Sequence, residues 1–74
     1  MHFKIRFWKR SIYTGKEIGP YELLLEARDE KEAVEKAIAE MFKIEARLTA
    51  SIIARSEIFL RGKWKAFGPE GLEE

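Results

Sequence analysis

Cysteine is absent from the 74-residue chain, which excludes disulfides, thiolate metal sites and cysteine nucleophiles. The one histidine, His2, lies at the chain terminus, where we expect neither a catalytic nor a metal-binding role. No apolar run approaches the roughly 18 residues of a membrane span, and basic residues interrupt the early apolar stretches, unlike in a signal peptide. We therefore expect a cytoplasmic protein with no cofactor, no metal and no membrane partner.

Asparagine and glutamine are also absent, and Asp29 is the only aspartate, although 36% of the residues are charged. This composition is typical of thermophilic proteins, which avoid deamidation and favour ion-pair networks. The net charge of +1 provides little attraction to a polyanion. The charges are unevenly distributed, since residues 1–16 contain five basic side chains and no acidic one, whereas residues 70–74 contain three glutamates.

Residues 29–46 are predicted to form one amphipathic helix. Asp29 is a suitable N-cap, and Glu32 lies where its carboxylate could reach back to the N–H of the cap residue. Glu45 falls on the apolar side, so we expect the helix to end near it. The predicted apolar side contains Ala33, Val34, Ala37, Ile38, Met41 and Ile44, with Phe42 at its edge.

Four segments alternate apolar and polar residues and are predicted to be strands, namely 2–13, 21–28, 48–60 and 63–67. Residues 14–20 are predicted to be a loop. The predicted antiparallel register of the first strand pair places Phe7 opposite Leu25 and Arg6 opposite Glu26. It pairs apolar residues on one face and opposite charges on the other.

The order β-β-α-β-β predicts an α+β fold in which a four-stranded, mainly antiparallel sheet packs one face against the helix. A right-handed crossover gives the strand order 2-1-3-4. Residues 1–67 form the single predicted domain, and the acidic tail 68–74 is expected to be disordered.

The last hairpin allows two registers. A two-residue loop at Arg61-Gly62 pairs Phe59 with Trp64 and directs Trp64 to the face away from the helix, whereas a three-residue loop directs it into the core. The position of Gly62 favours the shorter loop.

No combination of residues predicts catalysis. The serines have no neighbouring histidine to activate them, and the glycines do not form a phosphate-binding motif. The carboxylates are predicted to line a solvated helix face or to pair with basic residues across strands, not to converge in a pocket. We therefore expect a protein that is not an enzyme.

The sheet face away from the helix is the predicted functional surface. Our leading hypothesis is a small interaction module, such as an accessory or regulatory protein, which self-associates or docks on a protein partner through an exposed apolar patch. The residues predicted for that patch are Trp8, Leu24, Ile53, Phe59 and Trp64.

The alternative hypothesis is a protein that binds single-stranded nucleic acid on the same face, with bases stacked on aromatic rings. Glu22, Glu26 and Glu57 are predicted to share this face and would neutralise part of its positive charge. The residues predicted to contact nucleic acid are Lys4, Arg6, Trp8, Arg10 and Arg55.

Overall fold

One helix packs against one face of a five-stranded antiparallel sheet in the computed structural model, which describes residues 1–73. The elements are β1 (His2–Ser11), β2 (Glu17–Glu26), α1 (Glu30–Arg47), β3 (Ser51–Leu60), β4 (Lys63–Gly68) and β5 (Gly71–Leu72). The spatial order is β2-β1-β3-β4-β5. The α+β fold and the order of the first four strands are thereby confirmed.

The fifth strand was not predicted. It lies in the segment 68–74, where we expected a disordered tail, and it pairs with the end of β4 through Phe67 and Gly68. The N–H of Glu73 also donates to the carbonyl of Ala66 at 2.9 Å. Residue 74 of the predicted tail lies outside the described residues. Over residues 1–73, the structure contains no helix with the length and apolar character needed to cross a bilayer.

Asp29 caps α1 as predicted, because its Oδ1 accepts the N–H of Glu32 at 2.8 Å. Glu32 accepts the N–H of Arg28 at 2.9 Å, one residue before the expected donor. The helix continues past Glu45 and ends at Arg47, one residue beyond the predicted range of 29–46. Ala33, Ala37 and Met41 are its buried positions, in agreement with the predicted apolar side.

The pairing of β1 with β2 differs from the predicted register by four residues. Leu25 lies opposite Phe3, whereas we expected it opposite Phe7, which instead faces Tyr21. The turn begins earlier than predicted because the hydroxyl of Ser11 accepts the N–H groups of Tyr13 and Thr14. An even shift leaves every side chain on its predicted face.

The turn between β3 and β4 is the predicted two-residue loop. Arg61 and Gly62 both have positive φ angles, of 51° and 78°, as a hairpin of this type requires. Phe59 therefore faces Trp64.

The core lies between α1 and the inner face of the sheet, which we define as the face that packs on the helix. Ile5 and Ile58 are its largest fully buried side chains, and they lie on the two central strands. Residues of all the longer elements complete it, namely Phe3, Phe7, Leu25, Ala27, Ala33, Ala37, Met41, Leu60 and Phe67.

Candidate interaction face

The outer face is the side of the sheet directed away from α1. Because neighbouring strands are in register, residues from four strands form rows across it. One row contains Glu22, Arg6, Glu57 and Ala66 from β2, β1, β3 and β4 in turn. The predicted nucleic-acid contacts Lys4, Arg6, Trp8, Arg10 and Arg55 all belong to this face.

Two arginines and two tryptophans form a continuous stack on the outer face, which we call the Trp–Arg stack. The guanidinium carbon of Arg55 lies 3.9 Å from the ring centroid of Trp8. That of Arg6 lies 4.0 Å from the ring centroid of Trp64 and 5.3 Å from that of Trp8. Such cation–π contacts orient the arginines over the rings and cover part of the aromatic surface.

Carboxylates neutralise the same arginines. Arg6 donates through Nε to Oε1 of Glu57 at 2.7 Å, and both side chains are about three-quarters buried. Glu17 lies 3.3 Å from the guanidinium of Arg10 and 3.8 Å from that of Arg55. The face therefore presents paired charges, with most of the positive charge already balanced within the chain.

Apolar side chains lie next to the Trp–Arg stack. Phe59 packs edge-on against Trp64, with ring centroids 5.1 Å apart. Leu24 lies opposite Lys4 on the edge strand β2 and is 60% exposed. Four residues of the predicted patch therefore lie on the outer face, namely Trp8, Leu24, Phe59 and Trp64.

Ile53 is the exception, because the structure places it against the helix. A β-bulge shifts the register between β1 and β3, so that Trp8 pairs with Arg55 while Lys9 pairs with Ile53. The extra residue, Ala54, reverses the alternation, and Ile53 packs on the hydrophobic core. The prediction that Ile53 lies on the outer face was wrong for this reason. Ile52, opposite Arg10, takes that place.

Gly19 is a residue of this face that the sequence analysis did not identify. A Cβ added there would lie 2.8 Å from Cδ1 of Trp8 and 3.0 Å from the carbonyl oxygen of Phe7. The register of β1 and β2 shifts at the same point. Gly19 therefore leaves the space that the indole of Trp8 occupies. A glycine-proline pair beside a strand is the available signal, but by itself it predicts only a loop.

The resolved pKa shifts lie at the start of the helix, away from the outer face. The hydrogen bond from the backbone N–H of Arg28 is the largest cause that lowers the pKa of the Glu32 carboxyl. Desolvation, the next largest, opposes it, and the side-chain hydrogen bond from Arg28 lowers the pKa further. A hydrogen bond to Glu30 raises the pKa of Arg61. The described residues contain no group of three acidic or histidine side chains placed to hold a metal ion.

No family model, curated protein or solved structure matches the chain.

Proposed function

We propose that this protein is a non-enzymatic interaction module that forms a dimer by packing the outer faces of two copies against each other. The observation that carries the proposal is the apolar and charge-paired surface that the single helix leaves uncovered. The half-buried tryptophans and the exposed Leu24 and Phe59 lie together on this surface. An aromatic patch with arginine and few unpaired charges has the composition of a protein interface.

The size of the face supports a second copy as the partner. The chain measures 38 × 21 × 20 Å, so the face covers at most about 800 Å² in projection. A stable protein interface buries about 800 Å² on each partner. Most of the outer face would therefore be needed, which favours broad sheet-on-sheet packing over contact at one corner.

The charges support the same partner. The face carries four basic side chains (Lys4, Arg6, Arg10 and Arg55) and four acidic ones (Glu17, Glu22, Glu26 and Glu57). Two such faces carry no net repulsion, because each is neutral as a whole. Rows of alternating sign also allow basic groups of one copy to lie beside acidic groups of the other.

Leu24→Asp tests the proposal. Leu24 is exposed and lies opposite Lys4, so an aspartate there should be compatible with the folded monomer. Within a dimer the new carboxylate would be desolvated in both copies, and we expect the dissociation constant to rise by at least about 30-fold. Sedimentation velocity from about 1 to 500 µM measures the effect.

Phe42→Asp is the matched control, because Phe42 is 58% exposed but lies on the helix. We expect this variant to dimerise like the wild type. A wild-type chain that stays monomeric throughout the range, or a dimer that Phe42→Asp disrupts and Leu24→Asp does not, would contradict the proposal.

Single-stranded nucleic-acid binding is the second candidate, favoured by the Trp–Arg stack. The guanidiniums of Arg6 and Arg55 cover ring surface on which bases would stack, and Glu57 pairs with Arg6. We therefore rank it below dimerisation. Titration with a labelled oligonucleotide tests it, since several phosphate contacts would make the affinity fall steeply with salt. Absence of binding at about 20 mM salt would remove this candidate.

A further inference from the structure

A second surface, on the opposite side of the sheet, has the features of a peptide-binding groove. It lies where the C-terminal half of α1 crosses the start of β3 and the end of β4, and it is half-open with a volume of about 240 Å³. Its apolar lining includes Met41, Phe42, Ile53 and Phe67. Phe42 is 58% exposed, which is unusual for a phenylalanine beside a hydrophobic core.

The groove contains a free strand edge. The pairing of β3 with β4 ends at Ser56 and Phe67, after which the chain turns at Pro69 into β5. Within residues 1–73, no strand pairs with residues 51–54 on the side opposite β1. An edge of this kind can accept an additional strand by main-chain hydrogen bonds.

Glu45 occupies part of this edge. Its Oε2 accepts the N–H of Ile53 at 2.9 Å, as the carbonyl of a neighbouring strand would. The bulge at Ala54 places Ile53 toward the helix and so brings its N–H within reach of Glu45. The side chain of Glu45 can move aside for the carbonyl of an incoming strand, so this hydrogen bond does not prevent strand pairing at the edge.

The charges of the groove define its ligand. Two carboxylates, Glu45 and Glu73, line it. The only basic residue in the lining is Arg55, whose guanidinium stacks on Trp8 on the outer face. The volume is below the roughly 300–1,000 Å³ of sites for small-molecule ligands, but it can hold one or two side chains of an extended peptide.

From these features we infer that the groove binds an extended segment of another protein, with apolar side chains on the groove floor and flanking lysine or arginine. The main chain of the segment pairs with residues 51–54 of β3, and its basic side chains lie near Glu45 and Glu73. This site is separate from the dimer interface proposed above and does not depend on it.

A short peptide tests the inference, with a Val-Thr-Val core flanked on each side by lysine and with blocked ends. In a ¹⁵N-labelled chain, we expect saturable shifts of the amides of Ile53 and Ala54 within about 1 mM peptide. The indole N–H signals of Trp8 and Trp64 report on the outer face and should not move. A Glu45→Gln and Glu73→Gln double variant retains oxygen acceptors without the charges and should bind about tenfold more weakly.

Peptide variants separate strand pairing from adventitious contact. N-methyl groups on the peptide's backbone amides that face β3 should abolish binding, because these amides form the hydrogen bonds of strand pairing. N-methyl groups on the amides of the peptide's opposite edge should leave binding unchanged. Leu24→Asp, on the outer face, should leave the affinity unchanged. Equal binding of a glutamate-flanked peptide, equal effects of the two methylated series, or the absence of saturable shifts would each overturn the inference.

Discussion

Replacing Gly19 by alanine tests how the outer face is built. Gly19 has a φ of 153°, which is strained for any residue with a Cβ, and we assign this strain about 1–3 kcal/mol. The new methyl would also lie 2.8 Å from Cδ1 of Trp8 and 3.0 Å from the carbonyl oxygen of Phe7. Overpacking of this kind costs about 1–3 kcal/mol. We therefore expect Gly19→Ala to lower the free energy of unfolding by about 2–6 kcal/mol.

Gly15→Ala is the matched control for this substitution. Gly15 also has a positive φ, of 74°, but no atom lies within 4 Å of its added Cβ. Only the backbone strain should appear there, so Gly19→Ala should be the more destabilising variant by about 1–3 kcal/mol. In a domain of this size each kcal/mol lowers Tm by about 4–8 °C, which thermal and urea denaturation can resolve. Equal losses in the two variants would refute the steric argument.

A Trp8→Ala background separates the side-chain contact made at Gly19 from the two backbone contacts. Removing the indole eliminates the contact with Cδ1, but the carbonyl oxygen of Phe7 and the Cα of residue 8 stay 3.0 Å and 3.1 Å from the added Cβ. The excess cost of Gly19→Ala should therefore become smaller without disappearing. A double-mutant cycle measures the difference as a coupling energy between positions 8 and 19.

Two further predictions concern the start of the helix. Asp29→Ala should lower the free energy of unfolding by about 1 kcal/mol, measured by urea denaturation, because the N–H of Glu32 loses its acceptor. Arg28→Ala should leave the pKa of Glu32 below its ordinary value in a ¹³C NMR titration, since the backbone N–H at position 28 is the largest cause of the lowering and remains. Because the folded-state pKa is the lower one, the stabilisation is present above the unfolded-state pKa and is lost as the pH falls through the folded-state value. An ordinary pKa for Glu32 in Arg28→Ala would contradict the assignment to the backbone.

Local signals in the sequence were sufficient to predict the helix and the last hairpin. Asp29 forms its cap through atoms three residues away, and Gly62 provides a positive φ within the turn itself. The inner faces of β1 and β2 also followed from alternation, because burial of Phe3, Ile5 and Phe7 requires only the correct parity. These features depend on neighbours along the chain, which the sequence displays directly.

The register of β1 and β2 could not be predicted in the same way. Several registers that differ by two or four residues place the same side chains inward and give comparable charge pairs, so their cross-strand energies are similar. The turn determines which one forms, and its geometry depends on the hydroxyl of Ser11. A serine in a polar stretch gave no distinctive signal of that role.

The placement of Ile53 shows why one residue of the predicted patch was assigned to the wrong face. Strict alternation along β3 assigns Ile53 to the same face as Arg55, but the bulge at Ala54 moves it to the helix side. At the bulge, the N–H of Ile53 donates to the carboxylate of Glu45, an exposed residue near the end of the helix. The glutamate that predicted a helix end therefore supplies an acceptor for the bulged strand. A sequence pattern is interpreted for each helix or strand separately. The hydrogen bond between Glu45 and Ile53, which are eight residues apart on different elements, therefore cannot be predicted from either pattern alone.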